Sequence, residues 1–467
     1  MQSVRARVGR QSECGLTRSF AEAKLRYSAH RLRSHVPIRH LMLWMTVLRI
    51  PPGSSRIEGT PGGPGIGRIL ACWVALIVFG ACGGTAQQPQ SALVVSSDAK
   101  LRELASALLP DLASRSGLEL REPVRLEMRS REQLVRYLEY KLDEELPEEE
   151  ARATVDAYAL FGLVPRTLDL REVLLGLYTE QVVGFYDPDS TALFVLDDQP
   201  EESLQGLLVH ELVHAVQDQW ADLKALTDPD LGNDRATAAQ AAIEGHATLV
   251  MFEYMAEQAQ GEPVDLGALP DFATLLRSQL EGARTQFPAL AAAPRVIQES
   301  LLFPYLEGAG YVHGLWTQGE RLAPFGEYLP QSTEQILGGS REDAPVELTI
   351  SVQGAEVAHE DVLGRLELGV LLDQHLGSGS ARFADGWGGD RYVLVEGAGG
   401  ERGLIWYAVW DDEDAQGRFA EHFQDALGSL GGAASLELTQ VGGHPATVLR
   451  VGVTSGISVE VRAQRRP

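Results

Sequence analysis

The pattern of apolar and polar positions splits the chain into a helix-rich stretch and a later strand-rich stretch. Ala99–Leu112 carries Leu101, Leu104, Leu108 and Leu109 at helical spacing, with Pro110 near its end, and predicts an amphipathic helix. Glu132–Leu142, Pro147–Tyr158 and Leu168–Tyr178 repeat that spacing, and Val124–Met128 predicts a strand. Val182–Leu196 predicts a hairpin. Val182, Val183 and Phe185 precede the turn Asp187-Pro188-Asp189-Ser190, and Leu193 to Leu196 follow it. Two more helices are expected over residues 202–225 and 235–258, with Asn233 or Asp234 capping the second. Further helix is expected within 271–338.

Beyond residue 340 the period shortens. Val346–Val352, Tyr392–Glu396, Leu404–Trp410, Leu436–Val441, Ala446–Val453 and Ile457–Arg462 predict strands, while Asp361–His375 and Glu413–Leu430 predict helices. The expected class is α+β. A mainly helical domain with a small hairpin sheet covers 98–340, and a smaller α+β domain covers 341–467. No internal repeat is visible.

Charge changes the picture at the N-terminus. The net charge is −25, but residues 1–81 hold 12 Lys and Arg against 3 acids, a net of +9, which leaves −34 for residues 82–467. So acidic a body is ill suited to nucleic acid, which needs clustered Lys and Arg to neutralise phosphate. The three cysteines are Cys14, Cys72 and Cys82, so the body beyond 82 can form neither a disulfide nor a thiolate metal site. Residues 69–81 are a 13-residue apolar run after Arg68. That length suits a signal-peptide core and is short for a membrane-crossing helix. It ends in Phe79-Gly80-Ala81-Cys82, followed by Gly83-Gly84-Thr85. Small residues before a cysteine resemble the lipobox of bacterial lipoproteins, with Phe79 where Leu is more usual. The resemblance implies a lipid anchor at Cys82, a signal and tether over 69–97, and a place in the bacterial cell envelope, facing the periplasm or the exterior. The basic leader 1–68 then reads as residues upstream of the true start, or as disordered chain.

The chemistry lies in Val209-His210-Glu211-Leu212-Val213-His214-Ala215-Val216-Gln217-Asp218, which contains H-E-x-x-H. On a helix His210 and His214 sit about 40° apart and one turn displaced, so both imidazoles can hold one Zn²⁺. Glu211 can reach the metal's open position and take a proton from water there. Gln217 and Asp218 continue one polar stripe along an otherwise apolar stretch. Buried, such a stripe needs partners, and a metal supplies them. A catalytic zinc takes a third protein ligand. Glu244 and His246 both have the chemistry but lie about 200° apart on a helix, so only one can face the metal. Ala241, Ala247, Thr248 and Met251 on the Glu244 side suit close packing against the motif helix.

An H-E-x-x-H with a helical Glu 30 residues on resembles the glutamate-type zincins. More narrowly, residues 182–340 resemble a group of bacterial envelope metallopeptidases. The matching stretches are Gly184-Phe185-Tyr186-Asp187-Pro188, His210 to Gln219, Ile243-Glu244-Gly245-His246-Ala247, Phe303-Pro304-Tyr305 and Pro330 to Gln335. The resemblance implies a zincin-like fold over 98–340, zinc on His210, His214 and Glu244, and Glu211 as the catalytic base. That pattern commonly has an acid where His246 stands. The hairpin resembles the edge strand on which zincins bind extended substrate.

Other residues carry weaker signals. Asp218 can accept the free ring N–H of His214, and Gln217 is similar; each reads equally as a solvated group near a helix end. Tyr305, Tyr311 and His313 are candidate oxyanion donors, set against a reading as core aromatics in a glycine run with Gly308, Gly310 and Gly314. The segments Gly386 to Tyr392 and Trp406 to Asp411 read as a turn and strands with core tryptophans rather than a peptide or glycan surface. The expected function is zinc-dependent hydrolysis of proteins or peptides by an envelope lipoprotein, as an endopeptidase. The alternative is a non-catalytic binding lipoprotein that keeps the scaffold. Neither the substrate nor the oligomeric state is legible.

Overall fold

A computed structural model describes residues 93–266, 287–318, 321–453 and 456–465. The leader, the apolar run, Cys82 and part of the 271–338 stretch lie outside the described residues. Among the described residues, no helix is long and apolar enough to cross a membrane.

The architecture is mixed α and β. Helices α1 (Ala99–Ser116), α2 (Arg131–Glu145), α3 (Glu148–Leu160) and α4 (Leu170–Gln181) come first. Local chemistry sets their starts. Asp98 accepts the Leu101 N–H, Ser130 and Gln133 form a reciprocal capping box, and Asp169 accepts the Glu172 N–H. α1 runs through the exposed Pro110 to Ser116 and so outlasts its expected end.

A four-stranded sheet has the order β1 (Val94–Val95), β2 (Val124–Arg129), β4 (Ala192–Leu196), β3 (Gly184–Asp187). Val94 and Val95, expected to end a tether, instead pair in parallel with β2. The expected hairpin forms, its strands β3 and β4 pairing antiparallel from Gly184 opposite Val195 to Asp187 opposite Ala192, and β3 forms the edge. Helix α5 (Glu201–Gln217) lies against this sheet, and the 28-residue α6 (Asn233–Gln260) packs on α5. α6 is buried almost all round from Ala236 to Val250, which its Ala and Gly content permits.

The start of α6 differs from expectation. Gly232 takes the cap position, and Asn233 and Asp234 lie inside the first turn. Their groups are used by other elements. The Asn233 N–H donates to Asp361 at 2.9 Å, and the Asp234 carboxylate accepts from the backbone and hydroxyl of Thr333. Tertiary partners outbid the local cap.

After α7 (Arg295–Phe303) and α8 (Ala309–Trp316) comes the strand-rich part. β5 (Val346–Gln353) pairs with β11 (Ser458–Arg465). An antiparallel sheet has the order β6 (Glu356–Asp361), β7 (Trp387–Glu396), β8 (Arg402–Trp410), β10 (His444–Val451), β9 (Ala434–Val441). Strand β6 was not expected from sequence; its outer residues Glu356 and Val357 are exposed, so its apolar signal is weak. Val346, Leu348 and Ile350 pack on Val393, Val395 and Ile405 across one face of the large sheet. On the other face Trp406 packs on Phe161 of the loop after α3 and on Phe419 of α10 (Glu413–Phe423). Trp387, Trp406 and Trp410 are all buried, as core tryptophans should be.

The expected boundary at 340/341 separates the sheets but not the core. One apolar cluster runs from Val94 to Val451. Polar ties also cross it: Tyr158 donates to Glu367 at 2.6 Å, and the Leu366 N–H donates to Thr333 at 3.0 Å.

Asp390 is a buried acid with several donors. It accepts from the N–H groups of Leu363 and Gly364, which open α9 (Gly364–Leu376), and from the indole N–H groups of Trp387 and Trp406, all within 3.0 Å. Asp390→Ala should therefore cost about 3–5 kcal/mol, because buried donors lose a charged acceptor. Urea unfolding measures this, and a loss under about 1 kcal/mol would contradict it.

Candidate metal centre

The fold brings α5 against α6 so that His210 and His214 face Glu244. Each of the three is about 1 % exposed. His210 Nε2 lies 3.1 Å from Glu244 Oε2, His214 Nε2 lies 3.4 Å from the same oxygen, and the two Nε2 atoms are 3.0 Å apart. A tetrahedral Zn²⁺ with bonds of about 2.0–2.1 Å needs its ligand atoms roughly 3.3–3.4 Å from one another. The donor triangle is therefore close to one face of such a tetrahedron. Two imidazoles and a carboxylate also suit zinc chemically. Among the described residues this is the only group of three or more His, Cys, Asp or Glu able to hold a metal.

Glu211 lies beside this triangle, fully buried. Its Oε2 accepts the Tyr186 backbone N–H of edge strand β3 at 2.8 Å, while its Oε1 has no hydrogen-bond partner. A buried carboxylate oxygen without a donor is costly, and a water in the centre would satisfy it. Burial pushes the Glu211 carboxyl up to about 8.

The other two charged groups are coupled. Burial opposes charge on both, but the attraction between them wins. It lifts His214 to about 9 and holds Glu244 down at about 2. Burial lowers His210. The metal-free centre thus carries a proton on His214 at neutral pH that must leave when both imidazoles ligate. Zinc affinity should rise with pH up to about 9 and flatten above it. Calorimetry at pH 7 in buffers of different ionisation enthalpy should show about one proton or more released per Zn²⁺. Zero release would contradict this.

Glu244 and His246 separate as the helical wheel requires. Glu244 joins the imidazoles. His246 points away, its Nε2 3.1 Å from the Ser116 carbonyl and its Nδ1 3.1 Å from Gln217 Nε2. Asp218 does not meet the His214 ring. Gln217 does, with Oε1 2.8 Å from Nδ1. Asp218 lies past the end of α5, where it accepts from the Tyr186 hydroxyl at 2.8 Å and the Leu223 N–H at 3.2 Å. Tyr186, which sequence reasoning did not single out, thus touches both acids. Its signals were its place in the hairpin and in the matching stretch Gly184 to Pro188.

Of the three oxyanion candidates, the structure brings Tyr305 to the centre, its ring 6.3 Å from that of His210. Tyr311 donates to the Tyr328 carbonyl and His313 bonds the Leu266 carbonyl, so both serve other contacts. Tyr305 sits in a π-helical turn, Pro304–Gly308, between α7 and α8. That turn crosses α6 at Gly245 and Gly308. A Cβ on Gly245 would lie 2.1 Å from the Gly308 carbonyl carbon, and one on Gly308 would lie 2.0 Å from the Ala241 oxygen. Two glycines let the backbones touch next to Glu244. Gly314, in the same run, has open space around it.

Comparison with known proteins reaches a different part of the chain. Residues 352–465 match a family described as a domain of unknown function (DUF8575). That segment holds β6 to β11 and lies wholly beyond His210, His214 and Glu244. No curated protein and no solved structure matches the chain.

Proposed function

We propose that the chain is a zinc-dependent peptidase of the glutamate-type zincin kind, with His210, His214 and Glu244 as ligands and Glu211 as the base. One observation carries the reading: a buried Nε2, Nε2, Oε2 triangle of zinc dimensions lies beside a carboxylate with one unpartnered oxygen. When bound, Zn²⁺ supplies Lewis acidity and lowers the pKa of water. Glu211 Oε1 then takes a proton from the attacking water and returns it to the leaving nitrogen. Tyr305 is the candidate donor to the oxyanion. An extended substrate added to the β3 edge would compete with Glu211 for the Tyr186 N–H, so binding would free the base. The motif at 69–82 supports an envelope lipoprotein anchored through Cys82, acting on proteins or peptides outside the cytoplasm.

The test is metal content with peptide cleavage. The purified chain should hold about one Zn²⁺ and cut members of a peptide library, and Glu244→Ala should lose both properties. A chain that holds zinc and cuts nothing would leave the scaffold reading in its place. A chain that holds no zinc would overturn the proposal.

A further inference from the structure

Resting on the zinc reading above, we propose that Gln217 and His246 are positioning residues, which set the proton on His214 so that its Nε2 lone pair is left for the metal. Four buried groups form one chain: the Ser116 carbonyl, His246, Gln217 and His214. Its polarity is fixed from one end. The Ser116 carbonyl can only accept, so His246 Nε2 carries the ring proton and Nδ1 is the acceptor. The Ile243 carbonyl, 3.0 Å from Gln217 Nε2, can also only accept. Both contacts therefore demand the amide NH₂ of Gln217 on that side. Its Oε1 is then left facing His214 Nδ1, which must donate. The metal-facing Nε2 of His214 is thereby unprotonated in the neutral ring.

A flipped amide would turn Oε1 toward the Ile243 carbonyl and the bare His246 Nδ1, leaving both acceptors without a donor. Each of these groups is at most 1 % exposed, so water cannot repair the mismatch. The His246 ring is itself held edge-on by Trp316 and Phe325, with centroids 6.1 and 6.4 Å away. This accounts for an imidazole next to a metal centre that turns its back on it.

The inference has a specific signature. If His246 acts by orienting the Gln217 amide, it should matter only while residue 217 has two unlike ends. A carboxylate offers His214 Nδ1 an acceptor whichever way it turns, and its loss of the Ile243 and His246 contacts is read as a fall in stability rather than in Zn²⁺ affinity. Zn²⁺ affinity of the full chain, measured by chelator competition, should fall about tenfold or more for Gln217→Leu, with Gln217→Glu retaining it. His246→Leu should weaken binding about tenfold in the wild-type background, yet stay within about twofold in the Gln217→Glu background. His246→Asn keeps an acceptor near the Nδ1 position and should retain affinity. Thermal unfolding of the metal-free proteins checks that each variant folds. If His246→Leu does not fold, the contrast of Gln217→Leu with Gln217→Glu decides.

An equal loss for His246→Leu in both backgrounds would make His246 a packing residue and overturn the proposal. So would a folded Gln217→Leu that binds Zn²⁺ as tightly as wild type. Both outcomes leave the zinc reading standing, whereas a wild type that binds no Zn²⁺ would remove both.

Discussion

Glu211→Gln is expected to leave the chain folded and zinc-loaded while lowering peptide hydrolysis by about 10²–10⁴-fold, the usual worth of a positioned general base. The physical grounds are local. Glu211 is not among the three ligand atoms, so metal content should not change. Its Oε2 accepts a backbone N–H, which a Gln oxygen can also do. Its carboxyl sits near 8, so the metal-free protein holds it neutral at pH 7, and Gln is nearly isosteric with that form. What Gln cannot do is take a proton from water. A pH check follows. A folded-state pKa raised above the usual value stabilises below that usual value, and the gain is lost as pH rises through about 8. The metal-free wild type should therefore lose stability relative to Glu211→Gln over that window. Undiminished cleavage by the variant would remove Glu211 from the base role.

Gly245→Ala is expected to cost about 3 kcal/mol, the upper end for overpacking. The clash is with main chain, at 2.1 Å from Gly308 carbon, so no side chain can swing aside. Separating the π turn from α6 would also shift Glu244, the neighbouring residue, and the ring of Tyr305. Zinc affinity should fall together with stability. Gly308→Ala should behave alike, since its Cβ would meet the Ala241 oxygen at 2.0 Å. Gly314→Ala is the control. With open space around it in α8, it should be neutral or stabilise by up to about 1 kcal/mol. Melting temperature and zinc content of the three variants separate these outcomes. A soluble, fully loaded Gly245→Ala at wild-type stability would contradict the crossing.

Helix α2 was legible because its burial is one-sided, with Leu134, Leu138 and Leu142 on one face, so period and burial coincide; β3 and β4, buried throughout, were legible as apolar runs on either side of a turn. α2, α3 and the β3–β4 hairpin stand within a few residues of their sequence expectation. β6 was missed because its start is exposed, and the first turn of α6 because Asn233 and Asp234 find distant partners. The shared core across residue 340 was not legible for a related reason. A change of period marks where strands begin, not where a core ends, and Phe161 packs on Trp406 across it.

Within the candidate metal centre, helix geometry alone determined that His210 and His214 share a face, and that Glu244 and His246 cannot both join them. Periodicity is a property of one helix. Which of the two faces the imidazoles depends on how α6 rolls against α5, a packing in which Gly245 also meets Gly308, 63 residues away in sequence. Gln217 rather than Asp218 meets His214 for the same kind of reason. Asp218 lies beyond the last turn of α5, where the Tyr186 hydroxyl and the Leu223 N–H already claim it. Sequence fixes which groups are chemically able, through residue type and angular spacing. Only packing decides which are used, because a buried polar group takes the partner that tertiary contact leaves within about 3 Å.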